Sequence, residues 1–254
     1  MPIRIPTSPT AHLPFEIAGW ACALVLGVAL YRWRFKDAAL RLQASAGSGY
    51  FVALAFGAVW GSWLAGSLTT LGQSSPALSH SVLGALAGAI VGVEGYKAIR
   101  RVRGSTGGLF VGPLAIGVAV GRWGCLFAGL PDRTYGTPAK LPWAVDLGDG
   151  IGRHPVQVYE SVAMILFLGV YIEGLARRRN WALLHGFYAF CVWYGLQRFA
   201  WELLKPYPRV LGPITLFELI CGGLAVYGVV GWRASARRAQ ERAVPVPGPD
   251  HQPV

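Results

Sequence analysis

Long apolar runs separated by short basic or polar connections set the pattern of this chain. A helix that crosses a bilayer needs about 20 mostly apolar residues in succession. Seven segments meet that length, at roughly 15–33, 50–71, 81–99, 108–128, 156–175, 182–204 and 214–232. They predict an all-α, polytopic membrane protein of seven transmembrane helices. Small residues recur on the second to fourth runs, at Gly57, Gly61 and Ala65, at Gly84 and Gly88, and at Gly117 and Gly121. Such spacing lets helix backbones approach closely. Two stretches break the pattern. Residues 129–155, with Pro131, Pro138, Pro142, Asp132, Asp146 and Asp149, form a loop long enough to be functional or separately structured. Residues 243–254, rich in proline and polar groups, read as a disordered tail, leaving 1–242 as one membrane domain.

Composition agrees with that reading, since 54% of residues are hydrophobic and 14% charged, with a mean hydropathy of +0.44. Charge adds an orientation. Of the 23 lysines and arginines, 15 follow the first, third, fifth and seventh runs. They are Arg32, Arg34, Lys36 and Arg41; Lys97, Arg100, Arg101 and Arg103; Arg177, Arg178 and Arg179; and Arg233, Arg237, Arg238 and Arg242. Only six fall on the other side: Arg4, Arg133, Lys140, Arg153, Lys205 and Arg209. Cations concentrate in cytoplasmic connections, so the N-terminus is expected outside and the C-terminus in the cytoplasm. Few cations precede the first run and several follow it, the mark of an uncleaved, N-out helix rather than a cleaved leader. The net charge of +11 then points to anionic headgroups of the cytoplasmic leaflet, and not to nucleic acid. The four cysteines, Cys22, Cys125, Cys191 and Cys221, show no Cys-x-x-Cys spacing, so neither a metal site nor a disulfide frame is expected.

Arg122 and Arg198 lie inside apolar runs. An ionised side chain at membrane depth costs about 2.5–3.5 kcal/mol on insertion scales and normally faces a partner, a water-filled cavity or a charged substrate. Arginine stays protonated and grips phosphate or carboxylate through a planar fork. Two of them point to an anion site, and in a membrane the commonest anion is a lipid phosphate. Around them gather Arg153-His154-Pro155-Val156-Gln157-Val158-Tyr159-Glu160, then Tyr194-Gly195-Leu196-Gln197-Arg198 with Glu202 and Lys205, and Glu218. Gln157 and Glu160 share a helix face, as do Tyr194, Arg198 and Glu202 at spacings of four. A structural alternative pairs each arginine with Glu94, Glu160, Glu202 or Glu218, and leaves His154 as a loop residue and Cys125 as a small buried apolar one.

Gly-Arg-x-Gly at 121–124, Arg-His-Pro-x-Gln-x-Tyr-Glu at 153–160 and Tyr-Gly-x-x-Arg-Phe-x-x-Glu at 194–202 occur in this order across seven N-out runs. In this the chain resembles the bacterial prolipoprotein diacylglyceryl transferases over most of residues 80–225. The resemblance implies an inner-membrane, multi-pass enzyme of lipoprotein biosynthesis. Such enzymes move a diacylglyceryl group from phosphatidylglycerol to the lipobox cysteine thiol of a preprolipoprotein signal peptide, releasing glycerol phosphate. It implies catalytic roles for Arg122, Arg198 and Tyr194. Arginines at the phosphate would stabilise the charge that develops on the leaving group, and the thiol must become a thiolate to attack. This chemistry requires no metal and no diffusible cofactor. Gln157, Tyr159, Glu160 and Glu202, with Arg122, are expected to bind substrate.

The pattern is incomplete. Where family members carry His-Gly-Gly at the start of the third span, this chain has Leu83-Gly84-Ala85, with the nearest histidine at His80. Cys125 and Ala128 stand in place of two asparagines and Leu130 in place of a glutamate, with Asp132 two residues on. Asp132 substitutes for that glutamate only if the helix end shifts. The remaining candidates for deprotonating a thiol are His154, Glu160, Tyr194 and Glu202, of which Tyr194 and His154 rank first. The alternative to a transferase is a non-catalytic paralogue that binds or handles anionic phospholipid. A solute transporter is disfavoured, because neither a repeat nor an inverted pair of broken helices is found.

Overall fold

The computed structural model describes residues 1–69, 78–102, 104–206 and 214–243. Arg103, Arg209 and the expected tail beyond Ala243 lie outside the described residues. The chain is mostly helical. A short strand β1 (Ile3–Arg4) leads to α1 (His12–Leu30), α2 (Lys36–Ala46), α3 (Ser48–Leu68), α4 (Val82–Arg100) and α5 (Val111–Ala128). Strands β2 (Val145–Asp146) and β3 (Gly152–Arg153) precede α6 (Val156–Ala176), α7 (Asn180–Leu184), α8 (Gly186–Glu202) and α9 (Leu216–Ala243).

Among the described residues, six helical segments are long and apolar enough to cross a membrane: Pro9–Ala46, Ser48–Leu68, Val82–Arg100, Gly108–Ala128, Val156–Ala176 and Leu216–Arg238. The run at 182–204 resolves into α7 and the 17-residue α8, which meet at His185, whose backbone leaves the helical region (φ −120°, ψ 5°). The connection expected after the first run is itself helical. A π turn over Tyr31–Phe35 carries α1 into α2, so Arg32, Arg34, Lys36 and Arg41 ride on a continuous helix. The apolar pattern marks which part of a helix suits lipid, and it does not mark where the helix stops.

Helices pack in the pairs α3 with α4, α8 with α9, and α1 and α6 on either side of α5. The glycine spacing explains the first pair. A Cβ at Gly88 would stand 2.1 Å from the Gly57 carbonyl oxygen, so only backbone fits between these helices. The buried core lies between α5, α6 and α8, where Met164, Tyr171, Phe190 and Tyr194 are almost fully enclosed. The outward faces stay apolar: Trp20, Leu24 and Val25 on α1, Phe56 and Trp60 on α3, and Leu166 and Val170 on α6 are all exposed. So extended an apolar surface suits hydrocarbon rather than water.

The loop predicted over 129–155 is a small structured unit. β1 runs parallel to β2 (Ile3 beside Val145), and β2 runs antiparallel to β3 (Val145 beside Arg153). Asp146 Oδ1 accepts hydrogen bonds from the backbone of Gly148 and Gly150, both at 2.9 Å, where the turn needs positive φ (108° and 78°). Leu126, Val145 and Leu147 close a second core that seats this unit on the end of α5.

Candidate active site

Arg122 sits in the last two turns of α5, Glu160 in the first turns of α6, and Arg198 and Glu202 one turn apart on α8. Bundle packing turns all four inward, and Lys205, just past α8, joins them. Arg122 Nε lies 2.5 Å from Glu160 Oε2, the same oxygen that Arg198 Nη1 reaches. Arg198 Nη2 lies 2.7 Å from Glu202 Oε1. Lys205 Nζ lies 2.6 Å from Glu160 Oε1 and 3.2 Å from Glu202 Oε1. Glu160 is completely buried and the other four nearly so. Desolvating an ion costs several kcal/mol unless close partners repay it, which accounts for the tightness of the cluster. Three cations face two carboxylates, so the cluster keeps an excess positive charge among the described residues.

Arg122 and Arg198 also line a cavity of about 1220 Å³ at the end of the bundle that carries the 129–155 unit. Its wall continues through His12, Cys125, Asp132 and Thr134. A second, apolar cavity of about 200 Å³ lies deeper, between α3, α4, α8 and α9, and is lined by Tyr50, Leu86, Phe110 and Tyr188.

The other sequence-derived candidates divide between these regions. Glu160 and Glu202 hold the arginines from behind. Gln157 is buried, with Nε2 donating to Thr134 Oγ1 at 3.4 Å, and Thr134 in turn donates to Asp132. Tyr194 stacks on Phe190 at 5.6 Å and lines the apolar cavity, its hydroxyl buried without a hydrogen-bond partner among the described residues. His154 and Tyr159 belong to neither cavity wall. Their rings meet edge to face at 6.3 Å, Tyr159 packs on Trp201 at 5.2 Å, and Trp143 Nε1 donates to the Tyr159 hydroxyl at 2.8 Å. Glu218 is taken up in capping α9: Thr215 N donates to its carboxylate at 2.7 Å, and its own N–H donates to Thr215 Oγ1 at 3.1 Å. Glu94 binds Lys97 at 2.8 Å and accepts from the Tyr227 hydroxyl at 2.8 Å. Outside the spans, Arg153 grips Asp149 with both guanidinium nitrogens at 2.7 Å, holding that carboxyl below the usual carboxylate range.

Sequence reasoning missed His12 as a member of the cavity wall and named Asp132 only as a conditional stand-in for a glutamate. His12 begins α1, and its Nε2 is hydrogen-bonded to Asp132 Oδ1. α5 stops at Ala128, Gly129 turns at φ 74°, and a 3-10 turn over Leu130–Asp132 brings Asp132 back beside Cys125. Gly124 admits the start of α1, since a Cβ there would meet Phe15 Cβ at 2.9 Å and the His12 carbonyl at 3.5 Å. Only the glycine in Gly-Arg-x-Gly hinted at this contact.

Chemically, the cavity offers fixed positive charge beneath an opening rimmed by a histidine, a thiol and a carboxylate. A family model described as "Prolipoprotein diacylglyceryl transferase" matches residues 12–234. Among curated proteins, the chain is similar to three named phosphatidylglycerol–prolipoprotein diacylglyceryl transferase. One from Solidesulfovibrio magneticus is 34% identical over 146 residues, 53% of this chain and 52% of the relative. One from Finegoldia magna is 31% identical over 124 residues (48% and 47%), and one from Methylococcus capsulatus is 30% identical over 168 residues (61% and 62%). The chain thus spans about half the length of the first two and somewhat more of the third. No solved structure matches.

Proposed function

The chain belongs to the prolipoprotein diacylglyceryl transferase family, and from that premise we propose that it transfers a diacylglyceryl group from phosphatidylglycerol to the lipobox cysteine of a preprolipoprotein. One observation carries the reading: two buried arginines, within a cluster of net positive charge, line the wall of a cavity large enough for a lipid headgroup and a peptide turn. In the reaction the thiolate sulfur forms a bond to the glycerol carbon. The bond from that carbon to the phosphate ester oxygen breaks, and its electron pair stays on the departing glycerol phosphate. The phosphate passes from one negative charge to two. Arg122 and Arg198 therefore stabilise the transition state more than the ground state, which is what lowers a barrier.

Glu160 and Glu202 position the arginines in this scheme, Gln157 sets the Thr134–Asp132 chain, and Tyr194 shapes the acyl side of the site. His154 and Tyr159 support the rim from outside the cavity. The cation asymmetry supports a seven-span arrangement in a bacterial inner membrane, with α8 as the sixth span in chain order and α9 as the seventh, the N-terminus and the 129–155 unit outside, and the C-terminus in the cytoplasm. The test is the purified full chain with phosphatidylglycerol and a lipobox peptide, read by mass. A diacylglyceryl adduct on the cysteine peptide, absent from its serine analogue, is the expected result. Phospholipid binding without any adduct would leave the non-catalytic alternative standing instead.

A further inference from the structure

His12 is far in sequence from Cys125 and Asp132, yet a ring nitrogen of His12, Cys125 Sγ and an Asp132 oxygen all lie within 4.8 Å of one another. Among the described residues no other trio of histidine, cysteine and carboxylate side chains is so placed. Donors bound to one tetrahedral zinc at about 2.0–2.3 Å stand roughly 3.2–3.8 Å apart, so small side-chain rotations close the set. Thiolate, imidazole and carboxylate together select zinc over magnesium or calcium, which prefer oxygen throughout. Three protein donors leave a fourth position for water or substrate, the pattern of catalytic rather than structural zinc.

The surroundings fit such an ion. All three residues line the cavity that holds Arg122 and Arg198, and the His12 side chain, 43% exposed, opens the site to an entering metal. Asp132 is already oriented from behind, since its second oxygen accepts from Thr134 Oγ1, which Gln157 contacts at 3.4 Å. Metal ligands are commonly steadied in this way. Arg122 Nη1 donates to Cys125 Sγ at 3.8 Å, tying the thiol to the arginine cluster. The charges also close: one thiolate and one carboxylate neutralise the ion, so it adds no net charge beside the arginines.

We propose that His12, Cys125 and Asp132 form a zinc site whose fourth position, facing the cavity, takes the lipobox thiol as a thiolate. The zinc role rests on the transferase reading above; the metal site itself does not. On binding, the substrate thiol gives its proton to water and its sulfur becomes the fourth zinc ligand. That sulfur then forms the carbon–sulfur bond, the carbon–oxygen bond to phosphate breaks, and the thioether product, a poor zinc ligand, leaves. The site supplies what Leu83 cannot, a means of ionising the thiol near neutral pH without a histidine on α4.

The purified full chain, stripped with chelator and reloaded, should hold one zinc per chain by elemental mass spectrometry, and Cys125→Ser and Asp132→Asn should each lose it while keeping the parent's elution profile. Thr134→Val should bind zinc about 10–100-fold more weakly. Loaded with cobalt(II) instead, the protein should show a thiolate-to-cobalt charge-transfer band that Cys125→Ser abolishes. A lipobox cysteine peptide should intensify that band and its serine analogue should not. Absence of zinc at stoichiometric loading, or zinc binding unchanged in Cys125→Ser, overturns the site. A cobalt spectrum indifferent to the cysteine peptide overturns the role in thiol activation and leaves the metal site in place. Zinc bound and peptide coordinated, but no adduct formed from phosphatidylglycerol, upholds the site and counts against the transferase reading.

Discussion

Removing one member of the buried charge cluster has consequences that depend on its sign. Arg122→Ala leaves Arg198 and Lys205 facing Glu160 and Glu202, two against two. The variant should therefore fold and express like the parent, yet lose activity by about 10²–10³-fold, the usual loss for one donor aimed at developing charge. Arg122→Lys should recover only part of the rate, because an ammonium lacks the planar fork. Peptide turnover beside a detergent melting curve separates the two effects. If Arg122→Ala fails to fold, the arginine is structural. Glu160→Gln is the converse, leaving three cations with one carboxylate in a buried space. Breaking a buried pair costs about 3–5 kcal/mol, so this variant should show a large drop in melting temperature whatever happens to its activity. A melting curve equal to the parent's would mean that water or lipid already screens the cluster. His154→Gln and Tyr194→Phe should both keep the parent's pH–rate profile, because neither residue lines the cavity that holds the arginines. A loss near neutrality that recovers at high pH would identify either as the base.

Among the elements, the α3–α4 pair and the β2–β3 hairpin each expose one physical dependence. Gly88→Leu puts side-chain carbon where the Gly57 carbonyl already lies, so the helices must separate along their length. A cysteine pair spanning the interface, efficient in the parent background, should crosslink poorly in this variant; unchanged crosslinking would refute the close approach. The hairpin depends on the Arg153–Asp149 pair. Because Arg153 lowers the Asp149 pKa in the folded state, the pair's contribution is full above the unfolded value of about 3.9. It fades as pH falls through the lower, folded value. Amide exchange over 145–153 should be slower in the parent than in Asp149→Asn at neutral pH, and the difference should vanish in strong acid. A difference that persists there would assign the protection to the Asp146 turn instead.

For the whole molecule, the decisive measurement is sidedness. Single-cysteine reporters at Lys140→Cys and Arg178→Cys should label from opposite faces, the first by an impermeant reagent in intact cells and the second only after permeabilisation. Labelling of both from one face would mean that α6 does not cross, and that the cavity and the basic 177–179 connection lie on the same side. The apolar belt around the bundle is indifferent to this question. The cation distribution carries it, which is why Arg177–Arg179 matter although they touch nothing in the site.

Much of this was legible along the chain because hydrocarbon imposes a one-dimensional code. Length and hydropathy locate helices, glycine spacing locates their close contacts, and an arginine such as Arg122 or Arg198 inside an apolar run announces a partner or a ligand, since nothing else offsets its burial. What the chain could not show is which partner. Glu160 was one of four carboxylates open to either arginine, and only packing of α5, α6 and α8 chose it while sending Glu218 to cap α9 and Glu94 to Lys97 and Tyr227. The meeting of His12 with Asp132 left no signal beyond Gly124, because 120 residues separate them and the contact depends on Gly124 admitting α1 and on a turn after Gly129. Sequence determined the solvent each segment would accept and the charge the interior must accommodate. Tertiary structure decided which groups meet, because a contact across a bundle depends on helix rotation, helix ends and turn geometry, none of which leaves a periodic trace in the residues that make it.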